Sequence, residues 1–248
     1  MMAKRSLRFI AQIKENLVRS TKNFPETLFL GYVIVVLMIL INRNDIEMEE
    51  PLGKVLLSLF AILPLSAVLS RMEKRFRLKA KLHFGLYFVM VVLDVLFYLN
   101  LPEELNEGFF VRFNIWMLIV SSLFFLIPFL FRKDYFEVFF LKNVAIFFMT
   151  VLYIGILILG IYGIIALLEY LFEMNFNSDI YADVAVAVSG FFGLTFFLGK
   201  QKIVFEEEAE EDMQYPNLFR VLFSGIVIPL LLIYSFILYA YFLRLLLL

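Results

Sequence analysis

The feature that most constrains this chain is the return of long apolar runs along its whole length, at residues 27–42, 53–70, 82–99, 109–131, 138–168, 180–199 and 217–243. About 20 apolar residues suffice to cross a bilayer core of about 30 Å as a helix. They must be helical, because hydrocarbon offers the backbone no hydrogen-bond partner. The alternating strands of roughly ten residues that mark a membrane β-barrel are missing from the sequence. The expected fold class is therefore all-α, a polytopic transmembrane bundle of about seven spans. Composition agrees: the chain is 62% hydrophobic with 31 Phe and only 18% charged residues, where a soluble domain carries about 25%.

Two regions follow from this pattern. Residues 1–26 form a basic amphipathic segment, and residues 27–248 form the transmembrane domain. In the first, Leu7, Ile10, Ile13, Leu17 and Phe24 recur at helical spacing, while Lys4, Arg5, Arg8, Lys14, Arg19 and Lys22 fall mostly on other faces. Such a helix suits an anionic lipid surface; the alternative is a solvated lead-in that only sets topology. Pro25 separates it from the first span. The fifth run is longer than a bilayer core requires, so it must tilt, bend or project, and Gly155, Gly160 and Gly163 offer places for a bend.

Charge placement sets polarity. The N-terminal segment, the segments near 71–81, 132–142 and 200–216, and Arg220 hold 18 Lys and Arg, against 4 in Arg43, Lys54, Arg112 and Arg244. Acidic residues mark the second side, among them Asp45, Glu103, Glu107, Asp179 and Asp183. By the positive-inside rule the N-terminus is cytoplasmic, and seven spans put the end of this chain on the outer side. The expected location is a bacterial inner membrane. The last residues, Leu245–Leu248, stop within an apolar run, which suggests a polypeptide that continues.

Known chemistry is sparse. There is no Cys and one His, His83, which removes thiolate sites and His-rich metal patterns. Phosphate-loop, nucleophile-elbow, zinc-helix and dinucleotide fingerprints do not occur. No cofactor, metal, catalytic residue or nucleic-acid partner is expected. The acidic run at 206–212 reads as a solvated loop that can attract a basic partner.

Four features are candidate sites. Asp94 and Arg112 each lie nine residues from Glu103, the centre of the turn between spans three and four. In an antiparallel hairpin they would share a depth, as a proton or ion site or as a structural ion pair, since charges inside a membrane are normally paired. Lys54, Glu169 and Glu173, with Arg43, could line an outer vestibule, or be ordinary interfacial charges. Ala185, Ser189 and Gly193 repeat at four-residue spacing, with Ala182, Val186 and Gly190 beside them, which favours close helix contact. Finally, spans two and four each contain Phe-x-x-hydrophobe-Pro, Phe60 to Pro64 and Phe124 to Pro128, before a basic segment; prolines in spans can kink a helix and free carbonyls.

The segments LFAILPLSAVLSRMEKRF, YIGILILGIYGIIALLEYLF and PNLFRVLFSGIVIPLLLIYSFILYAYFLRLL, with Pro229, Tyr234, Tyr239 and Tyr241 in the last, resemble the bacterial membrane family called domain of unknown function 4153. The resemblance runs from about Phe24 to the end. It implies an inner-membrane helical protein, often continued by further spans, and brings no catalytic residue with it. Two functions are thus expected from the sequence: a transport-related protein with its polar site near Asp94 and Arg112, or a non-catalytic scaffold, sensor or assembly component. A membrane enzyme using the outer acids ranks third. A protein partner or homo-oligomer is left open.

Overall fold

The computed structural model describes residues 17–48, 50–76, 80–127, 136–201 and 228–247. These residues form helices α1 (Pro25–Arg43), α2 (Pro51–Phe76), α3 (Ala80–Leu99), α4 (Glu107–Leu126), α5 (Phe136–Phe172), α6 (Asp179–Lys200) and α7 (Ile228–Leu247). No strand occurs among the described residues. The first six helices are long and apolar enough to cross a membrane, and α7 contains the apolar stretch Leu230–Ala240. The start of the seventh apolar run, the acidic run at 206–212 and residues 1–16 of the amphipathic segment lie outside the described residues.

The turns place the helices in alternating directions. One end of the bundle collects the acidic turns, and the other carries Arg71, Lys74 and the N-terminal lead-in; these are called the acidic and basic ends below. α2 is the hub, packing on α1, α3 and α4, while α6 packs on α1 and α5, and α7 rests on α5. The apolar window of α2 is 44% buried, against 6% for α3. So α2 is an interior helix, whereas α3 presents apolar side chains outward, as a lipid-facing helix does.

Local sequence explains the close approaches. Ser66 of α2 donates to Thr27 of α1 at 3.0 Å. Ile34, Ile41 and Leu56 form an apolar cluster nearer the acidic end. In the α1–α2 turn Asp45 takes a left-handed conformation (φ 50), and Gly53 abuts the Met48 backbone where a Cβ would collide. Asn106 caps α4 by accepting from the Phe109 N–H at 2.9 Å.

The long fifth run becomes an unbroken helix of 37 residues, about 55 Å at 1.5 Å per residue. Helical structure continues through Gly155, Gly160 and Gly163. Gly160 and Gly163 seat Leu230 and Tyr234 of α7, and the Tyr234 hydroxyl donates to the Gly160 carbonyl at 3.2 Å. Glu173 ends α5 in the left-handed region (φ 54), a helix stop more often taken by glycine. α6 contains a π-helical segment, Val188–Gly193, which no sequence period announced.

The described part of the lead-in, residues 17–23, is helical. Phe24, read as part of an amphipathic stripe, is fully buried and packs on Phe124, while Leu17 is exposed. Lys74 donates to the Lys22 carbonyl at 2.8 Å and to Asn23 Oδ1 at 3.0 Å. The lead-in is therefore docked on α2 where it meets the bundle.

Candidate functional site: an intramembrane cavity between two polar braces

Between α1, α2, α4, α5 and α6 lies a cavity of about 720 Å³. Its wall includes Gly31 on α1 and Ala185, Ser189 and Gly190 on α6, and Gly31 brings α1 against Leu194 of α6. Gly190 also brings the π segment against Val35 of α1, and Gly193 brings it against Ile154 of α5. The remaining wall is mostly aliphatic and aromatic; its polar groups are chiefly the hydroxyls of Thr27, Ser121, Thr150 and Ser189. Pro64 sits on the wall as well. It cannot donate to the carbonyl four residues back, which loosens the helix there, and the Trp116 indole N–H from α4 donates to the adjacent Ala61 carbonyl at 3.2 Å.

A polar brace stands beyond the cavity toward the acidic end. Asp183 of α6, which is buried, accepts from Arg43 Nε at 2.7 Å and from Asn42 Nδ2 at 3.1 Å. The same face continues sideways: the Tyr162 hydroxyl of α5 donates to the Tyr181 carbonyl at 2.6 Å, and the Tyr181 hydroxyl donates to Glu169 at 3.0 Å.

The brace toward the basic end is of another kind. Arg71 of α2 is 1% exposed. Its Nη1 donates to the Phe124 carbonyl of α4 at 2.7 Å, and its Nη2 donates to Gln201 Oε1 beyond α6. Its guanidinium lies over the Phe124 ring, 3.6 Å from the centroid. The Phe124 carbonyl needs this partner for a covalent reason. Its helical donor would be the N–H of residue 128, which is proline and has none. Arg71 thus closes α4 at its negative dipole end. Arg71 Nε, Gln201 Nε2 and Asn143 Oδ1 are buried here without a hydrogen-bond partner.

The other candidate residues are distributed as follows. Asp94 and Arg112 do not form an ion pair. Their helices each pack mainly on α2, with a Phe97–Phe113 ring contact between them. Asp94 lies against Ser58 of α2, with Oδ1 buried and without a hydrogen-bond partner, while Arg112 Nε donates to the Gly108 carbonyl of its own helix at 3.1 Å. Of the vestibule group, Glu169 is held by Tyr181, Arg43 by Asp183, Glu173 ends a helix, and Lys54 makes no ion pair among the described residues. In the small-residue row, Ala185, Ser189 and Gly193 all line the cavity, and Gly193 also makes a close helix contact with Ile154. His83 Nδ1 lies 3.0 Å from Glu73 Oε2.

Sequence reasoning missed three of the brace residues. In the sequence Arg71 reads as one cation of a basic loop and Asp183 as a boundary acid, and Gln201 carries no signal. A signal for Arg71 existed: Phe-x-x-hydrophobe-Pro leaves a carbonyl without its donor, and a buried cation is one group that can satisfy it.

Fold and cavity together define a multi-pass α-helical membrane protein. Residues 28–246 match the family described as "Domain of unknown function (DUF4153)", and the chain belongs to that family. No curated protein and no solved structure matches it.

Proposed function

We propose that this protein binds an apolar chain, such as the acyl tail of a lipid, in the cavity between α1, α2, α4, α5 and α6, and handles or senses such molecules within the bilayer. The observation that carries this reading is the cavity's size and lining. Its volume falls in the ligand-pocket range of about 300–1,000 Å³. Water finds few partners on this wall, because most of it is hydrocarbon. An apolar chain is the occupant that matches it.

This keeps the transport-related class and changes the cargo from an ion to an apolar molecule. The scaffold alternative has no comparable feature in its favour. The count of 18 basic residues against 4 supports a cytoplasmic basic end in a bacterial inner membrane. The cations of the N-terminal segment suit anionic lipid at that surface.

Photolabelling tests the reading. A phospholipid carrying a diazirine on its acyl chain is expected to label wall positions such as Met117, Ile154 and Leu194, and Ser189→Trp is expected to suppress that labelling. Labelling confined to the outward side of α3, and unchanged by Ser189→Trp, would sink the idea.

A further inference from the structure

Three polar side chains stand where the cavity approaches the basic end. Arg71 and Gln201 are each 1% exposed, and Asn143 is 2% exposed. Each lies one helical turn beyond a residue of the cavity wall, counted toward the basic end. Arg71 follows Ala67 on α2, Gln201 follows Phe197 at the end of α6, and Asn143 lies a turn from Phe147 on α5. Phe124 joins the wall to the cluster, since it lines the cavity and its ring centroid is 3.6 Å from the Arg71 guanidinium. The Phe139 ring, one turn from Asn143, is 5.6 Å from the same group.

The cluster is short of acceptors. A guanidinium has five N–H donors, and Arg71 makes two hydrogen bonds, to the Phe124 carbonyl and to Gln201 Oε1. Arg71 Nε and Gln201 Nε2 are buried without a partner. No carboxylate forms an ion pair with Arg71 among the described residues. A buried cation with unmet donors beside it calls for an anion. An oxyanion suits best, because it takes a guanidinium edge with two parallel bonds and holds it more strongly than a ring face does. The third unmet atom, Asn143 Oδ1, is an acceptor and needs a hydroxyl or a water.

We infer that this cluster is a head-group site: the apolar chain in the cavity ends in an oxyanion, a carboxylate or a phosphate, which Arg71 and Gln201 hold. The inference rests on the reading that the cavity binds an apolar chain. It adds that the ligand is an anionic amphiphile whose head points to the basic end.

Saturation binding to the purified full chain in detergent tests the site, with tritiated hexadecanoate, hexadecyl phosphate and hexadecanol as probes. The three share one chain and differ only in the head. At least one of the anions is expected to bind about tenfold or more tightly than the alcohol, because charge-assisted hydrogen bonds are roughly twice as strong as neutral ones. Acetate and inorganic phosphate, which lack the chain, are expected to displace neither anion.

Arg71 also holds the end of α4, so the variant of choice is Gln201→Glu, which sets a carboxylate of the protein's own beside that cation. It is expected to abolish the roughly tenfold preference for an anion and to leave hexadecanol binding unchanged. An alcohol that binds as tightly as both anions, or a preference that survives Gln201→Glu, would overturn the head-group site while the apolar-chain reading stands. Displacement by acetate or inorganic phosphate at concentrations matching the probes would also overturn it, in favour of a site for free anions. If none of the three chains binds saturably, the cavity reading fails with it.

Discussion

Arginine braces both ends of the cavity, by opposite means. Toward the acidic end, Arg43 keeps 64% of its side chain exposed and meets a carboxylate, Asp183, that is 9% exposed. Toward the basic end, Arg71 is buried and is met by a carbonyl, an amide oxygen and an aromatic face, with no carboxylate in an ion pair with it among the described residues. The first is an ion pair that water still reaches, so breaking it leaves a cation that can be solvated. The second holds a charge by dipoles alone, and removing it strands the oxygen atoms that it serves. The difference teaches that charge count at a membrane boundary does not reveal which cation is structural; burial and the state of the neighbouring carbonyls do.

Arg71→Ala is expected to cost the most, about 3 kcal/mol, by leaving the Phe124 carbonyl and Gln201 amide oxygen unmet and a void beside them. Reversible unfolding in bicelles measures this. Arg71→Lys is expected to recover only part, since an ammonium lacks the planar fork that reaches two acceptors at once. A loss no larger than that for Arg43→Gln would erase the contrast between the braces.

Asp183→Ala comes next, at about 1–2 kcal/mol, because Arg43 and Asn42 both lose their acceptor while Arg43 remains solvated. The same unfolding assay applies, and the loss should shrink as salt rises. No comparable salt dependence is expected for Arg71→Ala, whose site is buried.

Pro128→Ala sharpens the comparison further. It returns an N–H that can bond the Phe124 carbonyl, so in this background Arg71→Ala should cost about 1 kcal/mol less than in the parent chain. A double-mutant cycle reads the coupling, and a value of zero would separate Arg71 from the proline motif. Arg43→Gln has the smallest expected effect, up to about 1 kcal/mol, as for other exposed ion pairs.

The spans were legible because apolar periodicity and length act locally. Each observed helix from α1 to α6 starts within two residues of its run and ends within six, and the charge alternation follows the turns. The cavity was not legible. The row Ala185, Ser189 and Gly193 reads as uniform contact if α6 is a regular helix, but the π segment changes the angular step after Ala187, and all three residues line the cavity. Likewise, the equal spacing of Asp94 and Arg112 about Glu103 carries information on depth, not on azimuth. Their helices both turned to α2, whose greater burial makes it the hub.

The sequence alone therefore determined the all-helical membrane class, the approximate limits of the spans and the separation of basic from acidic ends. These depend on one segment at a time meeting hydrocarbon or water. Only the tertiary structure decided which helix is central, where the cavity lies, and which arginine is buried. Those outcomes depend on the rotation of one helix against another, a quantity that the nearly uniform apolarity of these spans leaves unmarked.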